Sequence, residues 1–170
     1  MNTKIFFLIN LICLLFCYNN LSADTKIAYI DFDTVLSKIN KGKILFDNLN
    51  SEEEKKFQEF KTKEIELKKE ENSIKERSTL ITKDQLSSDL NEYNKKIQQY
   101  KIYKTKEIER LKKKRKDDIY NLLDLINPII EKYMSDNSIS ILFDKKNIYI
   151  ADINLDITNN LIEIINKSFK

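Results

Sequence analysis

The sequence predicts an α+β chain in which a small β-sheet body carries a long, protruding antiparallel coiled-coil α-hairpin. Apolar residues recur every three or four positions through a highly charged stretch from 49 to 133, interrupted only by Pro128, and apolar runs of strand character stand near both ends, at 26–32 and 139–151. A period near 3.5 belongs to a helix with one narrow apolar seam, whereas a half-buried strand alternates with period two.

The second arm carries the clearer seam. Leu86, Leu90, Tyr93, Ile97 and Tyr100 are spaced 4, 3, 4, 3; Ile108 and Leu111 resume the stripe after a slip, and Ile119, Leu122, Ile126, Ile129 and Tyr133 continue it. Leu49, Phe57, Phe60, Leu67 and Ile74 make a thinner stripe on the first arm, with Glu53, Glu64 and Glu71 at positions where an ideal seam is apolar. Thr82 followed by Gln85 fits a capping box that starts the second helix, with Asp84 near its positive end. The tip of the hairpin is therefore expected near 78–82, and a first arm of about thirty residues is roughly 45 Å long.

The opening segment is of another kind. Lys4 precedes an apolar run from Ile5 to Cys17, too short for the roughly 20 residues of a spanning helix, and Ala23 precedes a charged chain. This predicts a secretory signal peptide over 1–23, cleaved after Ala23, rather than a retained anchor. Ile12 before Cys13 and Phe16 before Cys17 are too bulky for lipid attachment. The exported chain, 24–170, then lacks cysteine and any thiol chemistry.

In the body, Lys26 to Phe32 reads as a strand with apolar residues on both faces, hence a covered one. Asp33 is expected to cap a short helix from Thr34, and Gly42 to mark where it ends or bends. Pro128 either kinks the second arm or sits in the first turn of a restarted helix capped by Asn127. Ile139 to Phe143 and Ile148 to Ala151, separated by a polar turn, are predicted to pair as a hairpin. A closing helix bearing Leu161, Ile162, Ile164, Ile165 and Phe169 is capped by Asp156 or Thr158. The segments 24–48 and 134–170 thus form the body, and 49–133 the arm. A body so small, with strand edges to cover, favours self-association.

Chemistry is mainly excluded. The chain has no histidine, so histidine acid–base catalysis and Cys/His metal sites are ruled out, and a single glycine cannot build a phosphate loop. Asp31 and Asp33, and the alternating Asp152, Asn154 and Asp156, read as caps and turn residues rather than cation ligands. No catalytic residue, metal or cofactor is predicted, and the chain does not read as an enzyme. From Lys95 to Lys116 there are eleven Lys or Arg against Glu107 and Glu109, a block of net +9. It is either a solvated helix face or a positive field for an acidic partner, anionic lipid or nucleic acid. Export counts against nucleic acid. Tyr93 and Tyr100 belong to the seam and Tyr103 lies off it, facing a binding partner, while Phe57 and Phe60 are either seam or contact residues. A thin, charged arm with a sparse apolar stripe suits the holding of an unfolded polypeptide, and several arms on one body raise the effective concentration of weak sites.

Lys26-Ile27-Ala28-Tyr29-Ile30-Asp31, the charged hairpin, Asn127-Pro128-Ile129-Ile130, and above all Phe143 to Asp152 followed by Leu155-Asp156-Ile157-Thr158 make the chain similar to the Skp/OmpH family of periplasmic chaperones. The resemblance implies a homotrimer joined through a small β-barrel, with three hairpins around a cavity. It implies ATP-independent holding of unfolded outer-membrane β-barrel proteins in the periplasm and, in some members, binding of lipopolysaccharide; the positive block makes an anionic lipid a further candidate partner. On this resemblance Ile27, Tyr29, Ile148 and Tyr149 belong to the oligomerisation body. Phe57, Phe60, Tyr103, Lys101, Lys104, Lys112 and Lys116 are the expected client-binding residues of the arm. The alternative is an envelope structural or tethering coiled coil whose arms bind one folded partner or an anionic membrane surface.

Overall fold

The computed structural model describes residues 25–169, so the predicted signal peptide and its cleavage site lie outside the described residues. In chain order the elements are β1 (Lys26–Ile30), α1 (Phe32–Lys38), α2 (Asn40–Arg77), α3 (Lys83–Asp136), β2 (Ile139–Asp144), 3-10 turns at Lys145–Asn147 and Ile153–Leu155, and α4 (Thr158–Ser168). Helices α2 and α3, of 38 and 54 residues, form the arm. At 1.5 Å per residue they run about 57 and 81 Å.

The two ends of the chain meet in a two-stranded sheet. β1 and β2 pair in parallel, with Ile27 opposite Ile141, Tyr29 opposite Phe143, and a register shift between Lys26 and Ile27. Parallel strands need a long crossover, and here the whole helical arm supplies it. The predicted hairpin between 139–143 and 148–151 does not form. Asp144 turns the chain, its Oδ1 accepting from the Lys146 N–H at 3.2 Å, and the Ile148 N–H donates to the Lys145 carbonyl at 3.1 Å. The following segment is led away from the sheet, and Tyr149 is 99% exposed. β1 lies between β2 and the 156–157 segment, where Tyr29 bridges Asp156 and its carbonyl accepts from the Ile157 N–H at 3.0 Å.

Asp31, not Asp33, caps α1: its Oδ1 accepts from the Thr34 N–H at 2.9 Å, and that bond holds its carboxyl below the usual range. The helix starts two residues earlier than predicted, taking Phe32 out of the strand, and Asp33 pairs instead with Lys146 at 2.6 Å. The Thr158 hydroxyl, buried in the body, accepts from the Asp31 N–H at 2.9 Å. Asp156 Oδ1 accepts from the Thr158 N–H at the start of α4, and Asp152 Oδ1 from the Asn154 N–H, both at 2.9 Å. Among the described residues no group of three or more His, Cys, Asp or Glu is placed to hold a metal ion.

The break between α1 and α2 falls at Ile39, and Gly42 lies in the first turn of α2. A Cβ at Gly42 would stand 1.7 Å from the Leu36 carbonyl oxygen, so glycine is required by a close backbone approach. No side chain of its own caps α2; α4 does it, the Asn166 Oδ1 accepting from the Asn40 N–H at 2.7 Å. Pro128 sits inside α3, which continues to Asp136 without restarting at Asn127. The body core is contiguous: Ile30 of β1, Val35 of α1, Ile126 of α3, and Leu161 and Ile165 of α4 are fully buried together with Ile39. The base of α3 is thereby anchored among the strands.

Candidate functional site

The arm is the part of the molecule with surface to spare. At its tip α2 ends at Arg77, and Thr82 starts α3 with a reciprocal capping box: the Gln85 N–H donates to Thr82 Oγ1 at 3.3 Å, and the Thr82 N–H to Gln85 Oε1 at 3.1 Å. Arg77 and Asp89 close the tip at 3.2 Å. Beyond the body, α2 buries only Leu49, Phe60, Leu67 and Ile74, the last three one heptad apart. Phe57, included in the stripe from sequence, is 62% exposed and lies off the seam.

A heptad seam needs two apolar residues per repeat, and α2 supplies about one. Polar and ionic contacts fill the alternate layers. Arg115 reaches across to Glu53 with two bonds, Nε–Oε1 at 2.8 Å and Nη2–Oε2 at 3.0 Å, and also donates to Asn50. Lys104 pairs with Glu64 at 2.5 Å, and the Tyr100 hydroxyl donates to the same carboxylate at 2.8 Å. Lys96 pairs with Glu70 at 2.7 Å, and Arg110 with Glu52 at 3.0 Å. Glu53 and Glu64, which interrupt the apolar stripe, are thus inter-helix ties; Glu71 instead pairs with Lys75 and Lys68 of its own helix. Hydrogen bonds from the cations hold Glu53, Glu59 and Glu64 below the usual carboxylate range, and Lys75 and then Lys68 hold Glu71 down to about 2. Burial first and Glu64 second raise the Tyr100 phenol well above its ordinary value.

These ties divide the basic block. Of its eleven cations, Lys96, Lys104, Arg110, Lys114 and Arg115 bridge to acids of α2, while Lys95, Lys101, Lys106, Lys112, Lys113 and Lys116 form no ion pair within the described residues. Of the lysines singled out from sequence, Lys104 is therefore structural in part, Lys101 and Lys112 stand in solvent, and Lys116 lies 5.6 Å from the centre of the Tyr120 ring.

Midway along the arm an open cleft of about 660 Å³ runs along one side of the α2–α3 seam, and its lining includes Phe60, Tyr100 and Tyr103. Phe60, 5% exposed, packs edge-to-face with Tyr103 at 6.2 Å between ring centres. Tyr103 also ties the arms: its hydroxyl donates to Glu59 at 2.6 Å and accepts from Lys56 at 3.0 Å, while the residue remains 39% exposed. Thr62 and Gln99 also line the cleft. Neither is singled out by the apolar pattern, because polar rim residues carry no periodic signal.

The sheet presents a second surface. Ile27, Ile141 and Phe143 are exposed on neighbouring strands, Tyr29 is buried, Ile148 is half-buried and Tyr149 projects into solvent. Sequence reasoning missed Ile141 and Phe143 because it gave β2 the wrong partner. Among the described residues no helix is long and apolar enough to cross a membrane.

No curated protein matches the chain. The fold is similar to the crystal structure of an OmpH-like candidate outer membrane chaperone from Caulobacter crescentus CB15, at 14% sequence identity, TM-score 0.72 and 84% coverage of each chain. The model of the outer membrane protein (OmpH-like) family matches residues 26–165, from the first strand to the closing helix. With its arm and body both inside that match, the chain belongs to the OmpH-like family.

Proposed function

We propose that the protein is a non-catalytic, ATP-independent holdase of the periplasm that binds unfolded outer-membrane β-barrel proteins and prevents their aggregation before insertion. The observation that carries this reading is the arm itself: large apolar side chains, Phe57, Ile65, Leu80, Leu90, Ile102 and Tyr103, are exposed at scattered points along a highly charged hairpin. Scattered apolar contacts in a charged field hold many unfolded sequences and demand no single folded shape. Family membership and the OmpH-like neighbour support the chaperone role. Phe57, Tyr103, Lys101, Lys112 and Lys116 contact the client directly in this reading, and Phe60 and Lys104 support that surface from the seam. The unpaired lysines also suit lipopolysaccharide or anionic lipid headgroups.

The assembly belongs to the same proposal. Ile27, Ile141 and Phe143, with the projecting Tyr149, leave apolar surface on a small body, and three copies joined there would place three arms around one client. Light scattering tests the holding activity: a urea-unfolded outer-membrane β-barrel is diluted at physiological salt with increasing protein and no nucleotide. Suppression that saturates near one trimer per client is expected. Aggregation unaltered at several trimer equivalents would contradict it and favour the tethering alternative.

A further inference from the structure

We propose that the mid-arm cleft between α2 and α3 seats one aromatic side chain of an extended, unfolded segment; this rests on the holding function above and assigns its site. The cleft, about 660 Å³, falls within the range of small-ligand sites, a few hundred to a thousand Å³. Its two tyrosines present rings rather than hydroxyls: Tyr103 is tied to Glu59 and Lys56, and Tyr100 to Glu64. The Phe60–Tyr103 pair is edge-to-face, with planes at 82°, and an incoming ring extends that arrangement.

The rim sets the charge of the guest. Glu59 is compensated by Lys56 at 2.6 Å, Glu66 by Lys63 at 2.9 Å, and Lys96 by Glu70 at 2.7 Å and Glu92 at 3.0 Å. A slot whose rim charges are already paired offers nothing to an ionised side chain, which would lose hydration on entry. For a neutral ring, by contrast, leaving water is favourable. Thr62 and Gln99 complete the rim, and the Thr62 hydroxyl, which donates to the Gln58 carbonyl at 3.0 Å, keeps its lone pairs for a peptide N–H. The Gln99 amide both donates and accepts. Together they suit the unpaired backbone of an unfolded chain, whereas a folded protein has its backbone groups already bonded.

Filling the cleft from the rim tests the seat without removing the seam. Thr62→Trp and Gln99→Trp are compared with Lys61→Trp, a substitution of an exposed residue outside the cleft lining, with circular dichroism showing that each arm remains helical. The probes are a fluorescent, urea-unfolded outer-membrane β-barrel and a capped neutral pentapeptide with central p-benzoylphenylalanine for photocrosslinking. Expected are crosslinks to the segments around Thr62 and Gln99, lost in both cleft variants, and a barrel affinity about tenfold weaker in those variants but unchanged in Lys61→Trp. Crosslinks spread along the arm, or barrel affinity and crosslinking both unaffected by Trp in the cleft, would overturn the seat while leaving the holding function in place. A wild-type chain that binds neither probe would overturn both.

Discussion

Single residues decide more here than their number suggests. Gly42 is required by the Leu36 carbonyl oxygen, and Gly42→Ala forces that backbone apart. A loss of about 1–3 kcal/mol, the usual cost of overpacking a tight site, is expected in urea unfolding. Sequence placed Gly42 where the first helix ends or bends; the reason for glycine is the close approach of the Leu36 carbonyl across the break at Ile39, which depends on how the two helices meet and leaves no mark in composition. The lysines divide in the same way. Reversing Lys101, Lys112 and Lys116 to Glu is predicted to weaken client binding about tenfold and flatten its salt dependence with the arm intact, since surface charge contributions of a few tenths to 1 kcal/mol each accumulate to that size. Reversing Lys104 instead sets it against Glu64 and loosens the arm, which a lower thermal midpoint reports. Charge counting cannot separate these two kinds of lysine, because the pairing acids, Glu70, Glu64 and Glu52, are distant in sequence and stand on the other helix.

At the scale of elements, the helices and their tip were legible: period, the Thr82–Gln85 box and the anomalous glutamates are all local signals. The meaning of Glu53 and Glu64 was not, since only the pairing of α2 with α3 brings Arg115 and Lys104 to them. Acid reports on these ties and on the pairs that Glu59 and Glu71 make with lysines of α2 itself. The folded arm holds Glu53, Glu59 and Glu64 below the ordinary 4.5, and Glu71 near 2, so the stabilisation is complete above about 4.5 and is lost as the pH falls toward about 2. Thermal unfolding followed by circular dichroism is expected to show the arm weakening through that window. About 1 M salt, which shortens the screening length to about 3 Å, should weaken it at neutral pH. The Thr82 cap is a separate device; Thr82→Ala is expected to cost about 1 kcal/mol and fray the tip first, seen as faster amide exchange after residue 82.

For the whole molecule, the sequence indicated that both termini return to one sheet but not how they pair. The run Ile148 to Ala151 is as apolar as a strand, and nothing in its composition shows that Asp144 caps a turn that leads it into solvent. Parallel pairing of β1 with β2 exposes Ile141 and Phe143, and the double substitution Ile141→Asp/Phe143→Asp is predicted to shift the proposed trimer to monomers in sedimentation while α2 and α3 remain helical. Loss of assembly should cost client affinity well beyond any local contact, because each arm then acts alone. The most direct measurement compares one outer-membrane β-barrel in two states, urea-unfolded and freshly diluted or folded in detergent micelles, by fluorescence anisotropy against the purified protein. Binding confined to the unfolded state, without nucleotide, is expected. Equal binding of the folded barrel would contradict it and make the arms a tether for a folded partner.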